Sequence, residues 1–243
     1  MEYITDSGYL LTIIVPLYNE EGNLPRLAQE LSGYLSMTSH KIRVLFVNDG
    51  STDNSGRILE KLCAEHPDFS FIHLECNGGL STALKAGFDQ VQTIFTGYID
   101  ADLQTSPFDF EQLFEHAKNY ELVTGIRKDR KDGLIKRFSS KLANTIRNAV
   151  THDGVSDTGC PLKIFQTAAL RRIPFFKGMH RFFPALVLLD GGHVKEVPVR
   201  HFQRLAGKSN YQLHNRLFGP LADLIAFAWM RKRYINYQIS GRG

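Results

Sequence analysis

The sequence has few cysteines and no long, uninterrupted hydrophobic run. Its three cysteines form no Cys-x-x-Cys pair, which argues against a disulfide framework and a cysteine zinc site, and suits a reducing compartment. The N-terminus shows no basic segment followed by an apolar run, the mark of a signal peptide. The most apolar stretch, Leu217 to Met230, contains Pro220 and Asp223 and is shorter than the roughly 20 apolar residues of a membrane span. We therefore expect a cytoplasmic protein.

Two phosphate-binding patterns are also absent, the P-loop GxxxxGK[ST] and the dinucleotide-binding GxGxxG. Any phosphate charge would have to be met by a cation and by arginine or lysine side chains. Residues 1–100 carry 6 basic and 13 acidic side chains, whereas residues 101–243 carry 23 basic and 12 acidic ones. This asymmetry predicts that the second half of the chain meets an anion.

Strand-like apolar runs alternate with segments of helical spacing along the first half of the chain. Leu11–Leu17 and Arg43–Val47 are runs of the buried-strand type, and Asn23–Leu35 and Ser55–Ala64 have helical spacing. This alternation predicts an α/β fold with a mainly parallel central sheet flanked by helices. No long linker or repeat interrupts the 243 residues, so we predict a single domain.

The second half of the chain is less regular. It predicts a basic helix over Leu134–Val150, a strand near Leu162–Phe165, a helix over Phe182–Leu189 and a strand over His193–Val199. A loop, Asp153 to Cys160, would connect the first two of these.

Polar segments follow the predicted strands, where parallel sheets bind their ligands. The first strand ends at Pro16–Glu20, where Tyr18 offers a ring and Glu20 a carboxylate to a nucleoside. The second ends at Asn48–Asp53, which holds two further carboxylates. Each segment also fits a helix cap or a turn, so neither identifies a function alone.

The runs Phe69–Leu74 and Phe95–Ile99 predict a third and a fourth strand, and the fourth is followed by two carboxylates, Asp100 and Asp102, separated by one residue. Like charges this close repel one another, and a divalent cation removes the conflict. Hard oxygen ligands favour Mg²⁺ or Mn²⁺, which can also bridge diphosphate oxygens. Gln104 adds an amide oxygen on the same side of an extended chain, so we predict a metal site here; a solvated turn is the alternative.

Five segments together resemble a known enzyme family. Val15–Glu21, Val47–Asp53 and Asp100–Gln104 resemble the signature of family 2 glycosyltransferases. Ser156–Phe165 and Glu196–Tyr211 narrow the resemblance to the branch of dolichol-phosphate mannose synthases and polyprenyl-phosphate glycosyltransferases. The resemblance extends over about residues 10–230, in the family's order and approximate spacing.

The resemblance implies a GT-A (Rossmann-like) fold, a nucleotide-diphosphate sugar as donor, Mg²⁺ or Mn²⁺ as cofactor, and inversion at the anomeric carbon. The residues it implies for nucleotide-sugar binding are Pro16, Tyr18, Glu20, Asp49, Asp53, Asp100 and Arg127. The implied metal ligands are Asp100, Asp102 and Gln104. The implied catalytic residues are Asp157, Arg204 and Lys208, and the implied partners of an acceptor phosphate are Arg204, Lys208 and Ser209.

The same resemblance divides the domain into parts. Residues 10–125 would bind donor and metal, residues 126–215 the acceptor, and residues 216–243 would form a C-terminal amphipathic helix. Leu80 and Pro161 depart from the family pattern, since many relatives carry lysine and glycine there, and both departures leave the identity of the acceptor open. Long relatives end in transmembrane helices, whereas this chain resembles the short, peripheral type.

Basic side chains suggest how the acceptor is met. Between Ile126 and Arg147 lie eight basic residues and two acidic ones, which fits either a solvated helix face or a patch for anionic lipid and a polyprenyl phosphate. Nucleic acid is disfavoured, because only Phe138 interrupts this run. The basic cluster Arg231–Arg233 follows the apolar stretch at the C-terminus, so that segment could lie on an anionic membrane surface or dock on the core.

We therefore predict an enzyme that transfers a sugar to a polyprenyl phosphate at the inner face of the membrane. An ionised phosphate needs no strong base, whereas a neutral hydroxyl acceptor does, and Asp157 is the candidate for that role. Transfer to a saccharide hydroxyl and a non-catalytic nucleotide-sugar-binding module are the alternatives. The resemblance also suggests a homodimer, and it leaves the donor base and the sugar open.

Overall fold

The computed structural model describes residues 8–127, 145, 147–203, 218–235, 237, 240 and 241. Within these ranges, one sheet contains seven strands in the order β3-β2-β1-β4-β6-β5-β7. The strands are β1 Leu11–Leu17, β2 Ile42–Asn48, β3 Phe69–His73, β4 Phe95–Tyr98, β5 Leu122–Arg127, β6 Lys163–Gln166 and β7 Val194–Val199.

The sheet is mainly parallel, as predicted. Strand β1 pairs in parallel with β2 and β4, β2 with β3, and β5 with β7. Strand β6 alone among them runs antiparallel to its neighbours, and it lies between β4 and β5. Its first residue, Lys163, therefore stands opposite Tyr98 near the end of β4 and opposite Thr124 of β5.

The α-helices are α1 Leu24–Met37, α2 Ser55–Glu65, α3 Leu80–Asp89, α4 Phe110–Ala117, α5 Thr167–Leu170, α6 Phe183–Leu189 and α7 Phe218–Arg231. Most of them agree with the periodicity of the sequence to within a few residues. The short helix α5 was not predicted, and the C-terminal helix α7 ends at Arg231, well before the predicted residue 243. Short 3₁₀ helices cover Pro107–Asp109 and Met179–Arg181. Of the predicted basic helix Leu134–Val150, only residues 145 and 147–150 are described, and these are helical. The division into donor, acceptor and C-terminal parts stays a prediction.

Apolar side chains cover the sheet on both faces, because neighbouring residues of a strand point to opposite sides. Ile13 of β1 belongs to the cluster that includes α1 and α4, whereas Ile14 belongs to the cluster that includes α3, α6 and α7. Gly87 allows α3 to approach β1 closely, since a Cβ atom there would lie 2.7 Å from Cγ2 of Ile14. This packing leaves the C-terminal edge of the sheet to the polar loops.

Candidate active site

The sheet order places the ends of β2, β1 and β4 side by side, and so brings the three predicted strand-end segments to one edge. Pro16 is buried within β1, whereas Tyr18 and Glu20 are partly exposed just beyond it. Glu20 Oε2 accepts a hydrogen bond of 2.5 Å from Asn23 Nδ2 at the start of α1. The aromatic ring and the carboxylate predicted for nucleotide binding therefore lie at the expected edge.

Asn19 joins the loop after β1 to the loop after β2. It has a positive φ of 54°, a conformation that asparagine tolerates better than most residues. Its side-chain Oδ1 accepts the backbone N–H groups of Thr52 (2.8 Å) and Asp53 (3.3 Å), and its own N–H donates to Ser51 Oγ (2.9 Å). The two predicted nucleotide-binding loops therefore form one interlocked unit, which the sequence motifs alone did not reveal.

Asp53 belongs to the same interlock. Its Oδ1 accepts the N–H of Ser55 (2.9 Å) and its Oδ2 accepts the N–H of Glu21 (3.2 Å). Partial burial acts to raise the pKa of Asp53, but the hydrogen bonds from Ser55 and Glu21 outweigh it and lower that pKa. Asp53 thus has a clear structural role, and its contact with a nucleotide stays a prediction.

Asp49 is 3% exposed and holds the turn that precedes α3. Its Oδ1 accepts the N–H of Gly78 (2.9 Å) and its Oδ2 accepts the N–H of Gly79 (2.8 Å). Gly50 has a φ of 66°, and a Cβ atom there would lie 2.6 Å from the carbonyl carbon of Cys76. The predicted contact between Asp49 and a base would use the remaining lone pairs of a carboxylate that already shapes this turn.

The predicted metal ligands lie at the end of β4. Asp100 Oδ1 accepts a 2.6 Å hydrogen bond from the hydroxyl of Tyr98, and Asp102 Oδ1 accepts the N–H of Gln104 (3.2 Å). Burial, and next the charge of Asp102, raise the pKa of Asp100 to about 6, although Tyr98 and two nearby cations, Lys163 and Arg127, oppose this. A bound cation would offset the free-energy cost of keeping both buried carboxylates charged, so the donor set fits a hard divalent ion.

The described residues hold no group of three or more histidine, cysteine, aspartate or glutamate side chains that could bind a metal ion. The two carboxylates and Gln104 would therefore hold such an ion together with oxygens from a ligand or water. Water and substrate phosphates are common ligands of Mg²⁺ in proteins. The metal site at Asp100, Asp102 and Gln104 stays a prediction.

Arg127 and Asp157, predicted to act on donor and acceptor respectively, are bound to each other. Arg127 Nε and Nη2 donate to the two carboxylate oxygens of Asp157 over 2.7 and 2.8 Å. The side chains of Arg127 and Asp157 are 12% and 10% exposed. Glu196 of β7 accepts the N–H groups of Ser156 (2.9 Å) and Asp157 (3.1 Å). The loop that bears Asp157 is therefore fixed from both β5 and β7.

Lys163 is a site residue that sequence reasoning missed. It is 1% exposed, and its Nζ donates to the backbone carbonyls of Thr158 (3.4 Å) and Cys160. The available signal was a lysine inside the run Leu162–Phe165, which was itself predicted to form a strand. A buried lysine in such a run needs polar partners, and here the loop of Asp157 supplies them.

Arg204, Lys208 and Ser209 lie outside the described residues, so their predicted roles stay predictions. The segment that leads to them is anchored beside Gln104, a predicted metal ligand. Arg200 donates from its backbone N and its Nε to the buried carboxylate of Asp109, both over 2.8 Å. The carbonyl of Gln104 accepts the N–H of Phe202 (2.9 Å) and lies 3.1 Å from Nδ1 of His201.

The C-terminal helix α7 has an exposed apolar stripe. Leu221, Ile225 and Trp229, spaced by four residues, are 54%, 65% and 63% exposed. The opposite face is buried, and Phe227 stacks on Phe182 at 5.3 Å. No helix among the described residues is long and apolar enough to cross a membrane.

The three basic residues at the end of α7, Arg231–Arg233, do not all face the solvent. Arg231 turns inward and donates to the carbonyl of Val150 over 2.6 Å, whereas Lys232 and Arg233 are exposed. The guanidinium of Arg233 lies 5.3 Å from the ring centre of Trp229. Two of the three basic residues therefore flank the apolar stripe.

The fold defines the class of protein. Glucosyl-3-phosphoglycerate synthase from Mycobacterium tuberculosis has a TM-score of 0.67 to this chain, covering 96% of it and 84% of the synthase, at 14% identity. A mannosyltransferase from Pyrobaculum calidifontis, solved with GDP-Man and Mn²⁺, has a TM-score of 0.63, covering 94% and 65%, at 17% identity. These similarities show that the chain has a GT-A glycosyltransferase fold.

The chain belongs to glycosyl transferase family 2, whose family model matches residues 12–176. It is 31% identical over 220 residues to undecaprenyl-phosphate 4-deoxy-4-formamido-L-arabinose transferase from Pseudomonas fluorescens (strain Pf0-1), covering 89% of this chain and 64% of the relative. It is 30% identical over 222 residues to dodecaprenyl-phosphate galacturonate synthase from Rhizobium johnstonii, covering 89% and 65%. The chain thus spans just under two-thirds of the length of these relatives.

Proposed function

We propose that the chain is an inverting, metal-dependent glycosyltransferase that moves a sugar from a nucleotide-diphosphate sugar to a polyprenyl phosphate at the cytoplasmic face of a membrane. One observation carries the proposal: the Asp100–Asp102 carboxylate pair directly follows β4, at the sheet edge where the β1 and β2 loops also converge. Membership of family 2 supports the reaction class, and relatives named for undecaprenyl and dodecaprenyl phosphate support the acceptor class.

Asp100, Asp102 and Gln104 would hold Mg²⁺ or Mn²⁺ in this proposal. Bound there, the cation would supply positive charge to the diphosphate leaving group of the donor. Solved proteins of the same fold contain Mn²⁺ together with GDP-Man or UDP-glucose, which supports a nucleotide-sugar and metal pairing. Tyr98 would keep Asp100 oriented towards the cation through its 2.6 Å hydrogen bond.

The Arg127–Asp157 pair favours a phosphate acceptor over a neutral hydroxyl. Both carboxylate oxygens of Asp157 already accept guanidinium N–H groups of Arg127, so the carboxylate is engaged in an ion pair and not placed as a base for a hydroxyl. A phosphate oxygen is already ionised and needs no such base. It would attack the anomeric carbon from the side opposite the diphosphate, form the new carbon–oxygen bond as the diphosphate leaves, and so invert the configuration.

The exposed stripe of α7 supports a position on an anionic membrane surface. Leu221, Ile225 and Trp229 would enter the headgroup region, with Lys232 and Arg233 beside them at the lipid phosphates. We expect Trp229→Ala to weaken binding to phosphatidylglycerol vesicles in a sedimentation assay. Met37→Ser is the matched control, because Met37 is 57% exposed on α1, across the sheet from α7.

The proposal is tested first by binding and then by turnover. One class of nucleotide sugar should raise the melting temperature with Mn²⁺ but not with EDTA. At 100 times its dissociation constant, the ligand should stabilise the folded state by about 2.7 kcal/mol. Asp102→Asn should abolish this metal-dependent rise. Asp89→Asn should preserve it, because Asp89 is an exposed partner of Lys85 on α3.

Turnover with undecaprenyl phosphate in anionic vesicles then separates the alternatives. The expected product is a polyprenyl-phosphate sugar whose anomeric configuration, read by NMR, is opposite to that of the donor. Transfer only to saccharide hydroxyls would favour the other acceptor class. Donor binding without any transfer would favour a non-catalytic module, and either result contradicts the proposal.

A further inference from the structure

Lys163 is a buried cation that the reaction outlined above does not use. It begins β6 and is 1% exposed, between Tyr98 of β4 and Thr124 of β5. Burial lowers the pKa of its ammonium group, while the neighbouring Cys160, Asp157 and Asp100 act to raise it. The residue therefore lies between the end of β4, which precedes the predicted metal ligands, and the loop that carries Asp157.

The partners of Lys163 belong to one loop, which we call the acceptor loop and define as residues 156–160. Its Nζ donates to the carbonyls of Thr158 and Cys160, on the C-terminal side of Asp157. Glu196 holds the N-terminal side of the loop through the N–H groups of Ser156 and Asp157. The position of Asp157 is thus set by contacts on both sides of it along the loop. Lys163 makes the contacts on the C-terminal side.

Stability alone gives little reason for a lysine at this position. Burying an ammonium group has a large desolvation cost, and replacing buried charges by apolar side chains of similar volume is often neutral or stabilising. At the other end of the same strand, an uncharged side chain also donates to backbone carbonyls. Gln166 donates from Nε2 to the carbonyls of Ala117, Lys118 and Tyr120 over 3.2–3.3 Å.

We infer that Lys163 is a positioning residue for the acceptor: by holding the carbonyls of Thr158 and Cys160, it fixes the acceptor loop so that the Arg127–Asp157 pair meets the acceptor phosphate. This inference rests on the proposed function for the identity of the acceptor. Lys163 does not touch the substrate in this scheme. It acts through the loop, and the donor loops after β1 and β2 are independent of it.

Three variants test the inference by steady-state kinetics. Lys163→Met keeps the length of the side chain and removes both hydrogen bonds, so KM for undecaprenyl phosphate should rise about tenfold or more, as expected for the loss of charged hydrogen bonds. The affinity for the nucleotide sugar with Mn²⁺ should not fall, because the donor loops keep their contacts and the charge removed at Lys163 would repel a cation bound at the nearby Asp100. Lys163→Gln retains an N–H donor and should recover part of the lost acceptor affinity.

Gln166→Met is the matched control, since it removes three carbonyl contacts from the same strand without touching the acceptor loop. It should leave KM for the acceptor unchanged even where it lowers the melting temperature. An unchanged acceptor KM in Lys163→Met would overturn the inference. Equal losses of donor and acceptor affinity would overturn it as well, because they indicate a general structural defect.

Hydrogen exchange separates this inference from the proposed function. The amides of residues 156–160 should exchange faster in Lys163→Met than in the wild type or in Gln166→Met. If the wild type transfers no sugar to a polyprenyl phosphate, the proposed function fails. Faster exchange in Lys163→Met would still show that Lys163 holds the acceptor loop. If these amides exchange at the wild-type rate in both Lys163→Met and Lys163→Gln, Lys163 does not hold the acceptor loop, and the inference is refuted whatever the activity.

Discussion

Removing the charge of Asp100 should stabilise the metal-free protein while destroying its response to metal. The pKa of this carboxyl is raised from 3.8 to about 6 by burial and by the charge of Asp102. A raised pKa means that the folded state holds the proton more tightly than the unfolded chain. The contribution of the Asp100 carboxyl to the stability of the folded state is therefore complete below about pH 4 and is lost as the pH rises through about 6.

The size of this change in the free energy of unfolding follows from the pKa shift of Asp100. About two pKa units correspond to at most about 3 kcal/mol, since each unit is about 1.4 kcal/mol. Asp100→Asn keeps an oxygen to accept the hydroxyl of Tyr98 and removes the charge. At pH 8 in EDTA we expect its melting temperature to exceed that of the wild type by on the order of 5 °C, because 1 kcal/mol corresponds to about 2–4 °C in a protein of this size.

The assay is a thermal melt of wild type and Asp100→Asn at pH 4 and pH 8, each with Mn²⁺ and with EDTA. The difference in EDTA should be large at pH 8 and small at pH 4, and Mn²⁺ with the nucleotide sugar should stabilise the wild type alone. Asp53→Asn is a control of opposite sign, because its pKa is lowered and its charge stabilises the fold above the unfolded pKa. A lower melting temperature for Asp100→Asn at pH 8 would refute the reasoning.

Two further predictions concern the contacts around the site. Asp157→Ala leaves the guanidinium of Arg127 buried without its carboxylate, so chemical denaturation should show a loss of about 3 kcal/mol. The double variant Arg127→Met with Asp157→Met should recover most of that stability but not the sugar transfer; equal recovery of both would show that the pair is only structural. Asn19→Gly tolerates the positive φ but loses the bonds to Thr52 and Asp53, so melts should show a loss of about 1–2 kcal/mol and weaker stabilisation by nucleotide sugar. Asn19→Asp keeps the acceptor oxygen, and a stability as low as that of Asn19→Gly would contradict this account.

The parallel part of the fold was predictable from the residues. Buried parallel strands are continuous apolar runs, and β1 and β2 are such runs, each followed by a helix with one apolar face. The position of β6 was not predictable, although its existence was. It enters antiparallel between β4 and β5, and this order depends on pairings between residues about 40–70 positions apart.

Among the site residues, the sequence located the loops, and the tertiary structure decided which side chains bind one another. Asp49 and Asp53 were predicted as nucleotide ligands, and the structure shows that backbone N–H groups bind both carboxylates. Arg231 was predicted to lie in a segment that either rests on a membrane surface or docks on the core, and its side chain donates to the carbonyl of Val150. Such contacts join segments far apart in the chain, so no local pattern reports them.

The sequence by itself determined the α/β class, the strand-end loops and the acidic pair at β4, because each depends on residues close together along the chain. The tertiary structure alone decided that Arg127 pairs with Asp157 and that Lys163 is buried beneath the loop of Asp157. These contacts depend on which strands become neighbours and on how much water their loops exclude. Burial and charge pairing arise only when the chain has closed on itself, and they decide what each charged side chain can do.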